Sequence, residues 1–496
     1  MSRFKENIFI LHGVFLLASI ILRFVFLNAP QMPYPDAETY ELFALQVADG
    51  LKITMPTRPL GYSLFITGIY ELFGSSRQFV IFVQQALGVL SYLLYFSIFT
   101  RFFNKKRAAA LFAFLASSGS LFLVYERAVL SDFLNHFVLL AAVFIYFKYL
   151  DMKKAYLMAP LGIASFIAMT LRPNSAVFAA IVVFFLLVEL AVMLKKKSPA
   201  TTIKALAIFL AVVLVCNFSF KKFSEKAVGY AGEPVGVLGV SMLIRTADFV
   251  NYASPANRKY KDRFRQFRNM YLQDYVPAYA NFLAGYSLMT DIDCAMPEET
   301  RRIYNEVAMS AQSYYGAHRV GERYFSTNDI LRELKCDMGT IDKAFLDISK
   351  EAIFSNPLAF SGSVVKNMMD FIESKQWEMT SFQKFGSEKD SPALAGIAQL
   401  YLSIDKVFGN AWVSRALTFI FIIGAIGFFI KRDKNLKPVA FLLCILAANY
   451  LVFGIIADHP APRYKMTNYW IQFLLFFYFI GVLIFRNKEK SLEDNK

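Results

Sequence analysis

Charged side chains lie in short polar segments between long apolar runs, and they are the residues best suited to chemistry. The first such segment reads Pro33-Tyr34-Pro35-Asp36-Ala37-Glu38-Thr39-Tyr40. A carboxylate here, Asp36 or Glu38, is placed to act as a general base on a substrate at the edge of an apolar layer. The residues leave open a second role for Asp36, which is to cap the helix predicted over 39–48.

Four arginines stand close to the ends of apolar runs: Arg23, Arg58, Arg172 and Arg463. Arginine binds phosphate through a planar fork of N–H donors. Each one alone is also explained by a long side chain that reaches out of an apolar layer to water. A later acid, Asp132, opens a further run and is a second candidate for chemistry or for helix capping.

The composition decides which class of protein must hold these residues in place. The chain has 496 residues, of which 56% are hydrophobic and 18% are charged, with a net charge of +15. Soluble domains carry about 25% charged residues. The 52 Phe exclude a disordered chain, and the 4 Cys are too few for a disulfide-rich fold. No two of the 4 His stand at the spacing of a zinc site. The class that remains is a helical membrane protein. Its excess of positive charge has three possible explanations: the membrane topology of its loops, an anionic ligand or nucleic acid.

About ten apolar runs are long enough to span a membrane. We therefore predict an all-α polytopic membrane protein with about ten transmembrane helices and a mostly helical extracytoplasmic domain. The predicted spans are 7–27, 78–100, 108–125, 132–150, 155–171, 176–194, 203–220, 411–430, 436–456 and 468–486.

Basic clusters follow alternate apolar runs, at 101–107, 153–154, 195–197 and 431–434 and in the tail from 486. The positive-inside rule places these clusters and both termini in the cytoplasm, with the protein in the cytoplasmic membrane. The connections 28–77, 126–131, 172–175, 221–410 and 457–467 then face outward. Acidic and basic residues balance in 221–410, so the excess charge marks topology and not nucleic acid. The four arginines gather on the face that the rule leaves poor in charge, which favours an anionic ligand there.

Three regions are predicted: a membrane module at 1–220, an outer domain at 221–410, and terminal spans with a tail at 411–496. Helical spacing in the outer domain predicts a helix over 340–353 that ends before Asn356-Pro357. Its basic stretch 258–268 is either a solvated helix face or a surface for an anionic acceptor or lipid headgroups. Cys294 and Cys336 are predicted to form a disulfide, the alternative being two thiols too far apart to bridge.

The order of these motifs resembles one family, the polyprenol-dependent membrane glycosyltransferases of the GT-C fold, which include protein O-mannosyltransferases and aminoarabinose transferases. The resemblance covers about 1–200 and 350–486. It departs from the family where Ala37 separates the two acids, where Asp132 replaces a frequent Glu, and where Lys465 replaces a frequent proline. The matching pieces are Arg23, Asp36 to Tyr40, Arg58-Pro59-x-Gly61-Tyr62 with Phe73-Gly74, Leu130 to Asp132, Leu171 to Pro173, Arg463-Tyr464 and, more weakly, Glu351 to Pro357.

The resemblance implies an inverting transfer from a sugar on a polyprenyl phosphate or diphosphate to an acceptor hydroxyl of a glycan, lipid or protein. Asp36 would be the general base, with Glu38 as the alternative, and Asp132 would orient the acceptor or hold a metal. Some relatives use a divalent metal such as Mg²⁺ or Mn²⁺, and others do not. The residues that would bind the donor phosphate are Arg23, Arg58, Arg172, Arg463 and Lys465, and those that would position substrate are Tyr40, Tyr62, Tyr464 and His459.

Two other classes of function compete with this reading. One is an envelope polysaccharide polymerase or ligase, and the other is a transporter or flippase of lipid-linked sugars. Transporters usually contain internal repeats and broken helices at the membrane midplane. This sequence has no internal repeat, and its acids lie at the predicted outer interface, which favours a transferase.

Overall fold

The computed structural model describes residues 2–27, 35–50, 59–103, 105–227, 242–243, 246–271, 318–320, 323–325, 338–373, 435–456 and 466–493, with single positions 399, 421 and 425. Helices make up nearly all of this part. They are α1 Ser2–Leu27, α2 Pro35–Ala48, α3 Leu60–Phe73, α4 Arg77–Phe102, α5 Lys106–Ser117, α6 Ser120–Tyr125, α7 Ser131–Met152, α8 Met158–Leu171, α9 Ala176–Lys195, α10 Ala200–Ala227, α11 Arg258–Tyr271, α12 Met338–Ser355, α13 Pro357–Glu373, α14 Leu436–Ile456 and α15 Met466–Glu493.

Short 3-10 helices lie at Ala155–Leu157, Pro173–Ser175 and Ala247–Phe249. Strands β1 His318–Val320 and β2 Arg323–Phe325 form one antiparallel hairpin in which His318 pairs with Phe325. The other elements in the described part of the chain are helices. The predicted helical character is therefore confirmed.

Six described helices are long and apolar enough to cross a membrane: Ile10–Leu27, Arg77–Phe102, Ser131–Met152, Pro173–Lys195, Ala200–Glu225 and Leu436–Ile455. Large apolar side chains such as Phe24, Phe184 and Leu214 are exposed on them, at 70, 56 and 67%. Water-soluble proteins rarely expose so much apolar surface, whereas lipid accepts it. One apolar core joins α1–α10 with α14 and α15. The protein is therefore a multi-pass helical membrane protein, as predicted.

Six of the predicted spans match these helices, and the remaining four differ. Span 155–171 is a shorter apolar helix that begins with a 3-10 turn, and the apolar part of α15 covers Asn468–Gly481. Span 411–430 lies outside the described residues apart from 421 and 425. The total of ten therefore stays a prediction.

The predicted continuous span 108–125 is wrong, because the chain breaks between α5 and α6 at Ser118 and Gly119. Ser118 caps α5 with its backbone N–H bonded to the carbonyl of Phe114, and Gly119 starts α6 in an extended conformation. Hydropathy did not show this break, since both halves are apolar. The break frees the carbonyl of Ser117 to accept a hydrogen bond from Arg23 at 2.8 Å.

The described helices of the predicted outer domain pack against the end of α14. Phe360 and Val364 of α13 form an apolar cluster with Met242, beside Ile455 of α14. The predicted helix 340–353 is confirmed as α12, and Pro357 then opens α13 instead of ending helical structure, because proline is well suited to a first helical position.

Helix α11 carries the predicted basic stretch, and it has a buried face. Tyr260 and Phe264 are buried on α12, while Lys261 pairs with Glu351 at 2.7 Å. Partial burial alone would raise the pKa of Glu351, but hydrogen bonds from Lys261 and Ser254 and the Lys261 charge hold that pKa below its ordinary value. Part of the basic stretch thus serves to dock α11 on α12.

Candidate active site

The structure pairs two of the predicted site residues, Asp132 and Arg172. Asp132 lies in the first turn of α7, and Arg172 directly follows the end of α8. Because Pro173 disfavours a helical residue before it, Arg172 is extended, with φ −148° and ψ 118°. Its Nη1 donates to the Asp132 carboxylate in an ion pair. Asp132 therefore holds an arginine, and no side chain caps α7.

The two side chains of this ion pair differ in their exposure to solvent. The Asp132 side chain is 3% exposed and that of Arg172 is 20% exposed. The Ser175 hydroxyl donates to Asn135 Oδ1 at 2.9 Å, which ties the turn after Arg172 to α7. The arrangement presents a fixed guanidinium at one end of the bundle, which suits a phosphate.

Helix α2, which contains positions 36 and 38, lies against the start of α7. The hydroxyls of Tyr40 and Ser131 are 3.1 Å apart, and the Tyr40 ring meets that of Tyr62 edge-on at 4.9 Å between centroids. On another face of α2, Glu41 pairs with Arg77 and accepts from the Tyr70 hydroxyl at 3.1 Å. These contacts fix the rotation of α2 about its axis.

The rotation of α2 separates the two candidate bases. Successive helical residues turn by about 100°, so position 36 shares a face with Tyr40, whereas position 38 lies on the far side. Tyr40 contacts Ser131, which is next to Asp132, so the Tyr40 face of α2 lies beside the start of α7. The choice of Asp36 over Glu38 as the base stays a prediction.

The structure explains three residues of the motif Arg58-Pro59-x-Gly61-Tyr62. Pro59 directly precedes α3. A Cβ on Gly61 would lie 2.6 Å from the carbonyl oxygen of Thr170, so glycine allows α3 to approach the end of α8. Tyr62 is fully buried and donates to Gln84 at 2.8 Å. The motif thus brings α3 against the helix that ends at Arg172.

Arg23 is not exposed to a ligand site but sits in a buried ion pair with Glu126. Its Nε and Nη2 donate to the Glu126 carboxylate at 2.8 and 2.6 Å, and its Nη1 donates to the Ser19 hydroxyl. The two side chains are 3 and 1% exposed. The described contacts are those of a structural pair, and the phosphate role of Arg23 stays a prediction.

Gly88 of α4 makes room for this ion pair, since an added Cβ would overlap both the Glu126 and the Arg23 side chains. We expect Gly88→Ala to lower the free energy of unfolding by about 1–3 kcal/mol, because it overpacks a buried charged contact. Thermal unfolding in detergent measures this loss.

Gly68 supplies the matched control for Gly88. An added Cβ there meets nothing within 4 Å. Gly68→Ala should stabilise α3 by about 0.5–1 kcal/mol, because alanine has less backbone freedom to lose than glycine. An equal loss of stability in both variants would contradict the steric explanation for Gly88.

Several predicted site residues lie outside the described residues or have side chains outside them. The structure gives the helical positions of 36 and 38 but not their side chains. Cys216 and Cys444 are free thiols, and the Cys294–Cys336 disulfide stays a prediction. The residues outside the described part are Arg58, Cys294, Cys336, His459, Arg463, Tyr464 and Lys465.

The described side chains offer no cluster of metal ligands. Among them, no group of three His, Cys, Asp or Glu lies close enough to hold a metal ion. The Asp132 carboxylate faces a guanidinium instead of a second acid. These residues alone do not fit a divalent cation, and the Mg²⁺ or Mn²⁺ that the family resemblance leaves open stays a prediction.

Sequence reasoning missed three residues that organise the site: Glu41, Gln84 and Glu126. Each makes its contacts with residues from other helices. A weak signal existed for Glu126, since an ionisable residue beside a span commonly has a charged partner. For a glutamine within α4, local sequence carries no such signal.

The fold and site define a multi-pass helical membrane protein with an acid–arginine pair at one end of its bundle. Residues 57–216, which contain that pair, match the family model of dolichyl-phosphate-mannose-protein mannosyltransferases. This match confirms the resemblance to membrane glycosyltransferases over the segment it covers. Comparison with curated protein sequences gives no significant match.

Three solved structures show distant likeness to the chain. The oligosaccharyltransferase AglB from Archaeoglobus fulgidus, in complex with an inhibitory peptide and a dolichol-phosphate, is 12% identical, with a TM-score of 0.39 over 98% of this chain and 52% of that one. The apo oligosaccharyltransferase of Archaeoglobus fulgidus is 14% identical, with a TM-score of 0.41 over 99 and 53%. ArnT from Cupriavidus metallidurans bound to undecaprenyl phosphate is 12% identical, with a TM-score of 0.31 over 95 and 77%.

The chain spans about half the length of the two archaeal chains it resembles.

Proposed function

We propose that the protein is an inverting glycosyltransferase that moves a sugar from a polyprenyl-phosphate donor to an acceptor hydroxyl at the outer face of the cytoplasmic membrane. The match of residues 57–216 to a family of lipid-phosphate-sugar-dependent transferases carries this proposal. The Asp132–Arg172 pair lies within that segment, which supports a phosphate site there. Diphosphate donors present the same chemistry to an arginine.

The proposed reaction needs one base and one anion site. Asp36 takes the proton of the acceptor hydroxyl, whose oxygen attacks the anomeric carbon of the sugar with inversion. The bond from that carbon to the phosphate oxygen breaks, and its electron pair stays on the phosphate. Arg172, held by Asp132, stabilises the charge that develops on this leaving group, with Arg58, Arg463 and Lys465 as further proposed donor ligands. The place of position 36 on the Tyr40 face of α2 favours Asp36 over Glu38 as the base.

The direct test uses the full chain in detergent with a panel of radiolabelled polyprenyl-phosphate sugars and candidate acceptors. A transferase releases polyprenyl phosphate and labels the acceptor even in detergent, where no membrane separates two compartments. A transporter or flippase moves the intact lipid only between two leaflets, so it would show no turnover in detergent. A polymerase or ligase would require a glycan acceptor and would be inactive with protein or simple lipid acceptors. Absence of turnover with all donors would contradict the proposal.

A prediction for Arg463 concerns the donor. We expect Arg463→Ala to raise the KM for the lipid-linked donor by roughly 10- to 100-fold, because a hydrogen bond to a charged group contributes about 1.5–3 kcal/mol. The KM for the acceptor should change little. Arg101→Ala is a suitable control, since Arg101 pairs with Asp151 at the end of α7 remote from Asp132. An unchanged KM for the donor would count against a phosphate role for Arg463.

A further inference from the structure

Gln84 lies in the N-terminal half of α4, and both polar atoms of its side chain are hydrogen-bonded to residues of other segments. Its side chain is fully buried. Its Oε1 accepts from the Tyr62 hydroxyl at 2.8 Å, and its Nε2 donates to the carbonyl oxygens of Glu126 and Ala128, both at 2.9 Å. A buried polar group left without a partner is costly, so these contacts fix their partners relative to α4.

The partners of Gln84 lie on both sides of the candidate site. The two carbonyls belong to the turn that leads into Ser131 and Asp132 at the start of α7. Tyr62 packs edge-on against Tyr40 of α2, which in turn contacts Ser131. One amide group therefore sets both the turn that carries the acid–arginine pair and the tyrosine that supports α2.

We propose that Gln84 is a positioning residue for sugar transfer, which fixes the turn 126–130 and Tyr62 so that the Asp132–Arg172 pair faces α2. This inference rests on the proposed function. Gln84 does not touch the reacting atoms in this scheme. Its effect arises because small displacements of aligned groups cost large factors in rate, on the order of 10²-fold for about 1 Å.

The first test is structural and does not depend on activity. Gln84→Met keeps the length of the side chain and removes all three hydrogen bonds. Gln85→Met is the matched control, since Gln85 is the next residue of α4, is 5% exposed, and its side chain makes no hydrogen bond among the described residues. In the full chain in nanodiscs, Gln84→Met should speed amide hydrogen exchange in the turn 126–130 by about tenfold. Unchanged exchange in that turn, or an equal increase in Gln85→Met, would overturn the positioning role.

The second test separates positioning from general stability. Gln84→Met should lower kcat by about 10- to 100-fold in the wild-type background. The same change should cost far less in an Asp132→Asn background, because residues that act as a unit lose activity non-additively. An equal factor in both backgrounds would mean that Gln84 supports the fold alone, which overturns the inference. Failure of the proposed function would appear differently, as absence of transfer by the unmodified chain.

Discussion

Asp36→Asn should lower kcat for sugar transfer by about 10²–10⁴-fold, the usual contribution of a positioned general base. Asparagine keeps the size of the side chain but cannot accept the proton of the acceptor hydroxyl. Position 36 lies in the first turn of α2, on the face of the helix that carries Tyr40 and its contact with Ser131. Initial rates with saturating donor and acceptor measure the effect.

The matched control for Asp36 is Glu38→Gln, which removes the same charge two residues away on the far face of α2. This variant should retain most of its activity. Both variants should insert into the membrane and unfold at the wild-type temperature, because each replaces one carboxylate by an amide of the same size. Full activity of Asp36→Asn would refute the assignment, and loss in Glu38→Gln alone would transfer the role of base to Glu38.

Glu126→Ala should lower the free energy of unfolding by about 3–5 kcal/mol, because it leaves the buried Arg23 charge without its carboxylate. Both Nε and Nη2 of Arg23 donate to Glu126, and the pair is shielded from solvent on all sides. The cost is that of an uncompensated charge away from water. Reversible unfolding in mixed micelles, or the shift of the thermal midpoint in detergent, measures it.

An exposed pair provides the comparison for Glu126. Lys222 and Glu225 of α10 are 62 and 31% exposed, so Glu225→Ala should cost only about 0–1 kcal/mol. The double variant Arg23→Met with Glu126→Met should recover much of the lost stability, since replacement of a buried ion pair by apolar residues is often neutral. If Glu126→Ala and Glu225→Ala were equally stable, the Arg23–Glu126 pair would not contribute as described.

Local pattern predicted the helical class, the multi-pass topology and several helix ends. The run 132–150 appears as α7, and helix 340–353 appears as α12 before Asn356. These features depend on contiguous residues, because membrane helices need long apolar stretches and the residue before a proline is biased away from helical conformation. The pattern failed at 108–125, where both sides of the break at Ser118 and Gly119 are apolar and hydropathy cannot register the interruption of the helix.

The candidate site was likewise predictable only in part. Residue types alone marked Asp36, Asp132 and Arg172, since carboxylates and arginines are unusual beside apolar runs. They did not distinguish Arg172, which pairs with Asp132, from Arg23, which is taken up by Glu126. Both arginines carry the same charge, and only their neighbours differ.

The sequence by itself thus determined the multi-pass helical class and which residue types gather near the ends of the apolar runs. The tertiary structure decided which of these residues meet: Arg23 with Glu126 across 103 positions, Asp132 with Arg172 across 40, and Gln84 with the turn before α7. Such contacts depend on the rotation of each helix and on close approaches such as those at Gly61 and Gly88. These are set by packing between helices, because the periodicity within one helix carries no information about the partner on which its face will rest.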